Sequence, residues 1–374
     1  MIYLDWNATA PLRPAVLEAM LPYLTVNFGN PSSIHAAGRA ARVALDEARE
    51  KVAALLGADQ REIVFTSGAT EANNLIIQGA ALKWPGRRFF SSPVEHPSVL
   101  EPLTALAERG VIRYEKFALD SEGALAKGEG SFFSGEPPAF VSVMYANNET
   151  GRIFPVQAVA QEVNTSGGHM HSDLTQAAGR VPLDVHAMRL TSGSVSAHKI
   201  GGPKGVGALF VKRGITVEKT LFGGKQERSR RPGTENVAAI VGFGAAAEAA
   251  MTELSSYPAR VAALRERLWH GLRSLGLPLL LNTPLEESVP NTLNVSLPGK
   301  DANFLLQRLD MAGLCVSAGA ACASGSPEPS PVLTAIGYPQ DRIRGALRFS
   351  LGPQTTEADI DQALKTLNNV LVSR

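Results

Sequence analysis

Ser196–Ala197–His198–Lys199–Ile200–Gly201–Gly202–Pro203–Lys204–Gly205–Val206–Gly207 is the stretch on which the fold turns. A lysine follows a histidine among small residues, between a polar run at 191–194 and an apolar run at 208–211. The pattern predicts strand, tight turn, strand, with Lys199 at the turn. Packing can hold such a side chain and aim it into a cavity. Desolvation keeps part of its amine neutral, which suits an imine with an aldehyde. A Gly-rich surface hairpin carrying a solvated lysine has the same composition. The decision therefore rests on what the chain sets around Lys199.

Upstream, short apolar runs end in polar turns and helical spacing follows. Residues 62–65 predict a strand, Thr66–Ser67–Gly68–Ala69–Thr70–Glu71 its exit turn, and 72–81 a helix. The start of that helix offers N–H groups and a positive dipole end that suit a phosphate. The plainer reading is an N-cap by Ser67 or Thr70. Residues 88–92 and 111–117 predict two further strands, the first leading to Glu95–His96–Pro97. Residues 139–145 are almost continuously apolar, as in a strand buried on both faces, and exit into Asn147–Asn148–Glu149. His169–Met170–His171–Ser172–Asp173 predicts a strand with Asp173 at its end. Alternation explains why His169 and His171 share a face, and no third ligand has suitable spacing, so no metal is expected. Helices are expected at 14–24, at 35–56 with Gly57 closing, and at 156–163. Strands alternating with helices predict an α/β fold with a doubly wound, mainly parallel sheet and a site at its carboxyl edge. Thr70, His96, Asn148, Asp173 and Lys199 fall along that edge.

Downstream, 223–236 is a polar loop with basic residues, either solvated or an anion-binding segment able to reach a neighbouring subunit. Helices follow to Ala250 and over 258–275. Residues 292–297 alternate with period two, which predicts a half-buried strand. Cys315 sits between Leu314 and Val316 and reads as core filling. Cys322 lies in Ala318–Gly319–Ala320–Ala321–Cys322–Ala323–Ser324–Gly325, where a thiol has no core to fill and glycines permit movement. It reads as reactive. Arg348, on the polar face of a strand at 346–351, could hold a carboxylate bidentately. Thr356 and Asp359 have capping-box spacing at the start of a closing amphipathic helix over 356–372.

A chain of 374 residues with 44% hydrophobic content supports a globular core. We expect a large domain over 13–255 and a smaller one over 1–12 and 256–374 carrying the Cys322 loop and Arg348. A net charge of +1 argues against a polyanionic partner, so no nucleic acid is expected. The start lacks a basic region followed by an apolar core, and the run at 237–247 is too short to span a bilayer, so no membrane is expected. Two cysteines make a disulfide scaffold implausible and favour a reducing cytoplasm.

Taken in order, several motifs carry a resemblance over essentially the whole length: Tyr3–Leu4–Asp5, Phe28–Gly29–Asn30–Pro31, Phe65–Thr66–Ser67–Gly68–Ala69–Thr70–Glu71, Glu95–His96, Asn147–Asn148–Glu149–Thr150–Gly151, Asp173–Leu174–Thr175–Gln176, His198–Lys199, Gly233–Thr234–Glu235–Asn236, the Cys322 loop and Arg348–Phe349–Ser350. The chain resembles the cysteine desulfurases of the NifS/IscS group, within the class V aminotransferase family. The resemblance implies a PLP-dependent transferase of fold type I, with pyridoxal 5′-phosphate (PLP) bound through Lys199. Ala69, Thr70, Ser196 and His198 would hold the phosphate, joined by Thr234 of the partner subunit in a homodimer. His96 would stack on the ring and shuttle protons, Asp173 would pair with the pyridine nitrogen, and Asn148 and Gln176 would lie near the 3-oxygen. Arg348, assisted by Asn30, would grip the substrate carboxylate. Cys322 as thiolate would attack Sγ of L-cysteine, giving alanine and a persulfide for a sulfur-acceptor protein such as an iron–sulfur scaffold. A free thiol titrates near ~8.5, so His96 would help as proton acceptor. Selenocysteine lyase, a class V aminotransferase and a non-catalytic scaffold are the competing readings.

Overall fold

The lysine stretch connects two antiparallel strands of a seven-stranded sheet. The computed structural model describes residues 1–128, 130–319 and 329–372. Its strands are β1 (Ile2–Tyr3), β2 (Ile63–Thr66), β3 (Arg88–Ser91), β4 (Arg113–Lys116), β5 (Phe140–Ser142), β6 (His169–Asp173), β7 (Ser192–Ser196), β8 (Gly207–Val211), β9 (Leu280–Leu281), β10 (Thr292–Ser296), β11 (Leu314–Cys315) and β12 (Ala346–Ser350). Its helices are α1 (Pro14–Thr25), α2 (Ala36–Leu56), α3 (Ala69–Lys83), α4 (Pro97–Glu108), α5 (Val156–Thr165), α6 (Val237–Glu253), α7 (Tyr257–Arg273), α8 (Ala302–Met311), α9 (Pro331–Ile336), α10 (Gln340–Arg344) and α11 (Glu357–Leu371).

The large sheet runs β2-β8-β7-β6-β5-β3-β4. β8 is antiparallel to both its neighbours, and every other pair is parallel. Alternation along each strand sends its side chains into two different cores. Phe65, Val141, Val195 and Phe210 pack with α2, α5 and α6 on one face. Val64, Phe89, Phe140, Leu209 and Val211 pack with α3 and α4 on the other. Both faces are covered, which is why β2, β5 and β8 read as largely apolar runs. A further core joins Leu4 to apolar residues of α7, α8, α11, β10 and β12. It underlies the antiparallel β12-β10-β9 sheet and the parallel β1-β11 pair.

Helix ends follow the local chemistry. α2 ends at Gly57 with φ 65°, a left-handed conformation that suits glycine. α11 starts with the capping box of Thr356 and Asp359. Among the described residues, no single helix is long and apolar enough to cross a membrane.

Several expectations are corrected. The link from β7 to β8 is no tight turn: a 3-10 turn over Ala197–Lys199 opens it, and the chain then runs on to Gly207. α3 begins at Ala69 rather than at 72, so the Ser-Gly-Ala-Thr turn is partly helix. β10 is buried along its whole length rather than half-buried. Its polar side chains find partners inside: Thr292 Oγ1 accepts from Asn7 Nδ2 at 2.9 Å, and Asn294 Nδ2 donates to the Glu149 carbonyl at 2.9 Å. Cys315 is half-buried instead of filling a core.

Candidate active site

Five strands deliver residues to the same edge. β2 exits into the start of α3, β3 leads to His96, β5 to Asn148, β6 ends on Asp173, and β7 leads to Lys199. One cavity of about 470 Å³ is lined by Ala69, Thr70, His96, Asn148, Asp173, Gln176, Ser196, His198, Lys199 and Arg348. Asn30 does not join them; it is exposed, and its Oδ1 accepts from the Ser32 N–H. Thr234 is also exposed, beside a separate recess of about 170 Å³ shared with Ser67 and Gly205. Cys322 lies outside the described residues.

One end of the cavity suits an anion. No side chain caps α3, so neither Ser67 nor Thr70 takes the capping role. The first-turn N–H groups have no intrahelical acceptors, and the helix dipole is positive there. β8 crosses close behind this turn. A Cβ at Gly207 would sit 2.6 Å from the Gly68 Cα and 2.5 Å from the Val195 carbonyl oxygen, so only glycine fits. Ser196 Oγ lies 3.8 Å from where a Cβ on Gly68 would stand, and His198 and Lys204 line the same cavity. Burial, followed by the charges of Lys199, Lys204 and Arg180, pushes His198 down to about 4, so its imidazole is neutral near pH 7.

Lys199 Nζ donates to the carbonyls of Asn7 at 2.6 Å and Ala8 at 2.8 Å. The Asn7 carbonyl also accepts from Gln176 Nε2 at 3.1 Å. Asn7 itself is tied down, since its Nδ2 reaches the Asn148 carbonyl and its Oδ1 accepts from Asn291 Nδ2. Sequence reasoning missed Asn7. The available signal was its place two residues after the Tyr3–Leu4–Asp5 motif.

Asp173 is held from two sides: Oδ1 accepts from the Thr175 N–H at 2.9 Å and Oδ2 from Asn73 Nδ2 at 3.0 Å. His96 is the N-cap of α4, and its Nδ1 accepts from the Ser98 N–H at 3.1 Å. Burial lowers the His96 pKa; Asp173 opposes the shift and Lys199 adds to it. Glu95 beside it is buried, and its Oε1 accepts from Ser92 Oγ and from the Met144 N–H, each at 2.6 Å. Burial pushes this carboxyl up to about 7.

Arg348 differs from the expectation of a polar strand face. Its side chain is 1% exposed and already paired, with Nη2 donating to Asp5 Oδ1 at 2.7 Å and Nη1 to the Asn148 carbonyl at 2.9 Å. Its Nε is buried and unpartnered. Sequence reasoning also missed Asp5, whose only signal was the same N-terminal motif.

The residues present fit pyridoxal phosphate. The α3 N-terminus suits a phosphate. Asp173 offers a carboxylate for a pyridine nitrogen, and Lys199 an amine for an aldehyde. Thr175 Oγ1 is a buried oxygen without a partner, available to a polar ligand atom. Fold and site together define a PLP-dependent enzyme of fold type I. The chain matches the family model "Aminotransferase class-V" over residues 2–363, and it belongs to that family. It is 42% identical over 373 residues to a cysteine desulfurase of Nostoc sp., covering 99% of this chain and 93% of that one. A solved NifS-like protein superposes with a TM-score of 0.92 at 37% identity, covering 99% of both chains. Another, titled "SspA in complex with cysteine", superposes with a TM-score of 0.83 at 29% identity, covering 95% of this chain and all of that one.

Proposed function

We propose that the chain is a PLP-dependent cysteine desulfurase that converts L-cysteine to L-alanine and passes the sulfur on from a persulfide on Cys322. The observation that carries this reading is the convergence of Lys199, Asp173, His96 and Arg348 on the cavity that also holds the uncapped start of α3. The similarity to a named cysteine desulfurase and to a protein solved with cysteine supports it.

When bound, PLP supplies an electron sink for charge developing at the substrate α-carbon. Ala69, Thr70, Ser196 and His198 would hold the phosphate, and Asp173 would keep the pyridine nitrogen protonated. Asn148 and Gln176, which line the same cavity, would hold the ring's 3-oxygen. Arg348 orients the substrate carboxylate. Lys199 would hold the cofactor through its amine and would move the substrate α-proton. The Cys322 thiolate attacks Sγ of L-cysteine. The new S–S bond forms as Cβ–Sγ breaks, the bonding pair stays with the carbon frame, and protonation there gives alanine. The persulfide then goes to an acceptor protein for iron–sulfur cluster or other thio-cofactor synthesis.

The active form is a homodimer in which the exposed Thr234 reaches the partner's phosphate site. The chain divides into a large domain over 13–255 and a small one over 1–12 and 256–374, and it works in the cytoplasm. Replacing Cys322 by Ala tests the assignment. PLP absorbance should remain while persulfide and sulfide formation from L-cysteine disappear. Unchanged sulfide release would defeat it, and transamination of a keto acid by the variant would favour the aminotransferase reading.

A further inference from the structure

Asn73, on α3, is fully buried behind the cavity. Its Nδ2 lies 3.0 Å from Asp173 Oδ2 and 2.8 Å from Ser98 Oγ, and its Oδ1 lies 2.9 Å from His171 Nε2. Ser98 Oγ lies 2.8 Å from His96 Nδ1, and Ser192 Oγ lies 2.8 Å from both His171 Nδ1 and His169 Nε2. Three histidines, two serines and one amide thus form a continuous chain from His169 to His96, to which Asp173 is joined at Asn73.

We propose that this chain fixes the proton of His96 on Nε2, and that His96 acts as a neutral hydrogen-bond donor at the cavity wall rather than as a proton carrier, with Asn73 and Ser98 as its positioning residues. The donors and acceptors fix the order from Asp173 through Asn73 and His171 to His169. An ionised carboxylate only accepts, so the Asn73 amide must turn Nδ2 toward Asp173. Its Oδ1 then faces His171, whose Nε2 must donate. In the neutral ring, His171 Nδ1 is left to accept from the Ser192 hydroxyl. Ser192 Oγ in turn accepts from His169 Nε2. On the other branch, the second Nδ2 proton of Asn73 goes to Ser98 Oγ, which frees the Ser98 hydroxyl proton for His96 Nδ1.

The backbone closes the argument independently. The Ser98 N–H can only donate, and it points at His96 Nδ1 from 3.1 Å. A proton on Nδ1, in the other tautomer or in an imidazolium, would face that N–H and forfeit the α4 cap. The charged groups facing His96 are Asp173 and Lys199, which pull its titration in opposite directions. Neutral His96 cannot take the Cys322 thiol proton at Nε2, because that nitrogen already carries one. The thiolate must therefore come from another acceptor, and movement of the α-proton falls to Lys199.

This inference deepens the desulfurase reading, yet its test does not depend on turnover. The full-length protein with its PLP is labelled with ¹⁵N-histidine, and the ring nitrogens are followed by long-range ¹H–¹⁵N correlation. Loss of one signal set in His96→Gln assigns His96. Between about pH 6 and 9, where an ordinary histidine completes its titration, His96 should keep an unprotonated Nδ1 and a protonated Nε2. A proton on Nδ1, or an imidazolium in that range, would overturn the proposal. Ser98→Ala retains the backbone donor and should leave the tautomer in place. Asn73→Asp removes the donor to Asp173 and to Ser98, and should move the His96 and His171 signals together. It should also lower kcat by about tenfold or more with little change in KM. Unmoved signals in Asn73→Asp would reduce Asn73 to a packing residue and sink its positioning role.

Discussion

Arg348 reaches the cavity wall already engaged. Asp5 and the Asn148 carbonyl hold two of its nitrogens, and the guanidinium is locked before any substrate arrives. A pre-set planar fork can take a carboxylate at low entropic cost, and an ammonium cannot reproduce that geometry. Arg348→Lys should therefore raise KM for L-cysteine by roughly 10- to 100-fold, with a smaller effect on kcat. Steady-state kinetics measure the split, and a change confined to kcat would remove Arg348 from carboxylate binding. Glu95 permits a prediction about stability. Its folded pKa of about 7 lies above the ordinary 4.5, so the native state binds a proton that the unfolded chain has released. Its contribution is full below about pH 4.5 and is lost as pH rises through about 7, on the order of 3 kcal/mol in all. Glu95→Gln should remove that loss. Urea titrations at about pH 5 and pH 8 should show the variant gaining on the wild type at the higher pH.

At the scale of elements, the loop after β8 is anchored more firmly than its polar composition indicates. Glu227 is buried and receives both Nη atoms of Arg49 from α2, each at 2.7 Å, together with the Phe65 N–H of β2 at 2.9 Å. Glu227, Arg228 and Ser229 take positive φ values of 45°, 58° and 61° around this contact. One carboxylate thus ties a helix, a strand and the loop that carries Thr234. Removing one partner of a buried pair leaves the other charge unsatisfied, at a cost of about 3–5 kcal/mol. Glu227→Ala should lose that much in chemical denaturation. A loss below about 1 kcal/mol would mean the pair behaves as a surface contact. If the homodimer reading is right, the variant should also bind PLP less tightly, because the Thr234 segment loses its anchor.

For the whole molecule, acid stability is set by histidines buried neutral. Burial drives His169 from 6.5 down to about 3, and His171 well below its ordinary value despite the pull of Asp173. The unfolded chain takes up these protons first as pH falls. The stabilisation is therefore complete above about 6.5 and is lost progressively as pH falls toward about 3. The expected acid limb amounts to several kcal/mol, and Glu95 opposes it over part of the range. Unfolding midpoints in urea should fall steeply between about pH 6.5 and 4.5, and His169→Gln should flatten that fall. An equally steep limb in the variant would assign the acid lability elsewhere.

The alternation of apolar runs with helical spacing determined the doubly wound sheet, because strands covered on both faces favour apolar residues. Chemistry-bearing residues at strand exits determined the edge on which the site forms, and Lys199, Asp173, His96 and Asn148 were legible one by one. Those signals are local and survive reading along the chain. The partners that hold these residues were not local. Asn7 and Asp5 lie almost 200 and more than 300 positions from Lys199 and Arg348, and Asn73 is a polar residue within an ordinary helix until the sheet brings Asp173 to it. No spacing rule relates such positions. Only the packed fold decided that a buried arginine meets Asp5, that a polar loop plants Glu227 under α2, and that an alternating strand is buried on both sides. In each case a polar group taken out of water had to find a partner, and the tertiary structure alone determined which groups came within reach.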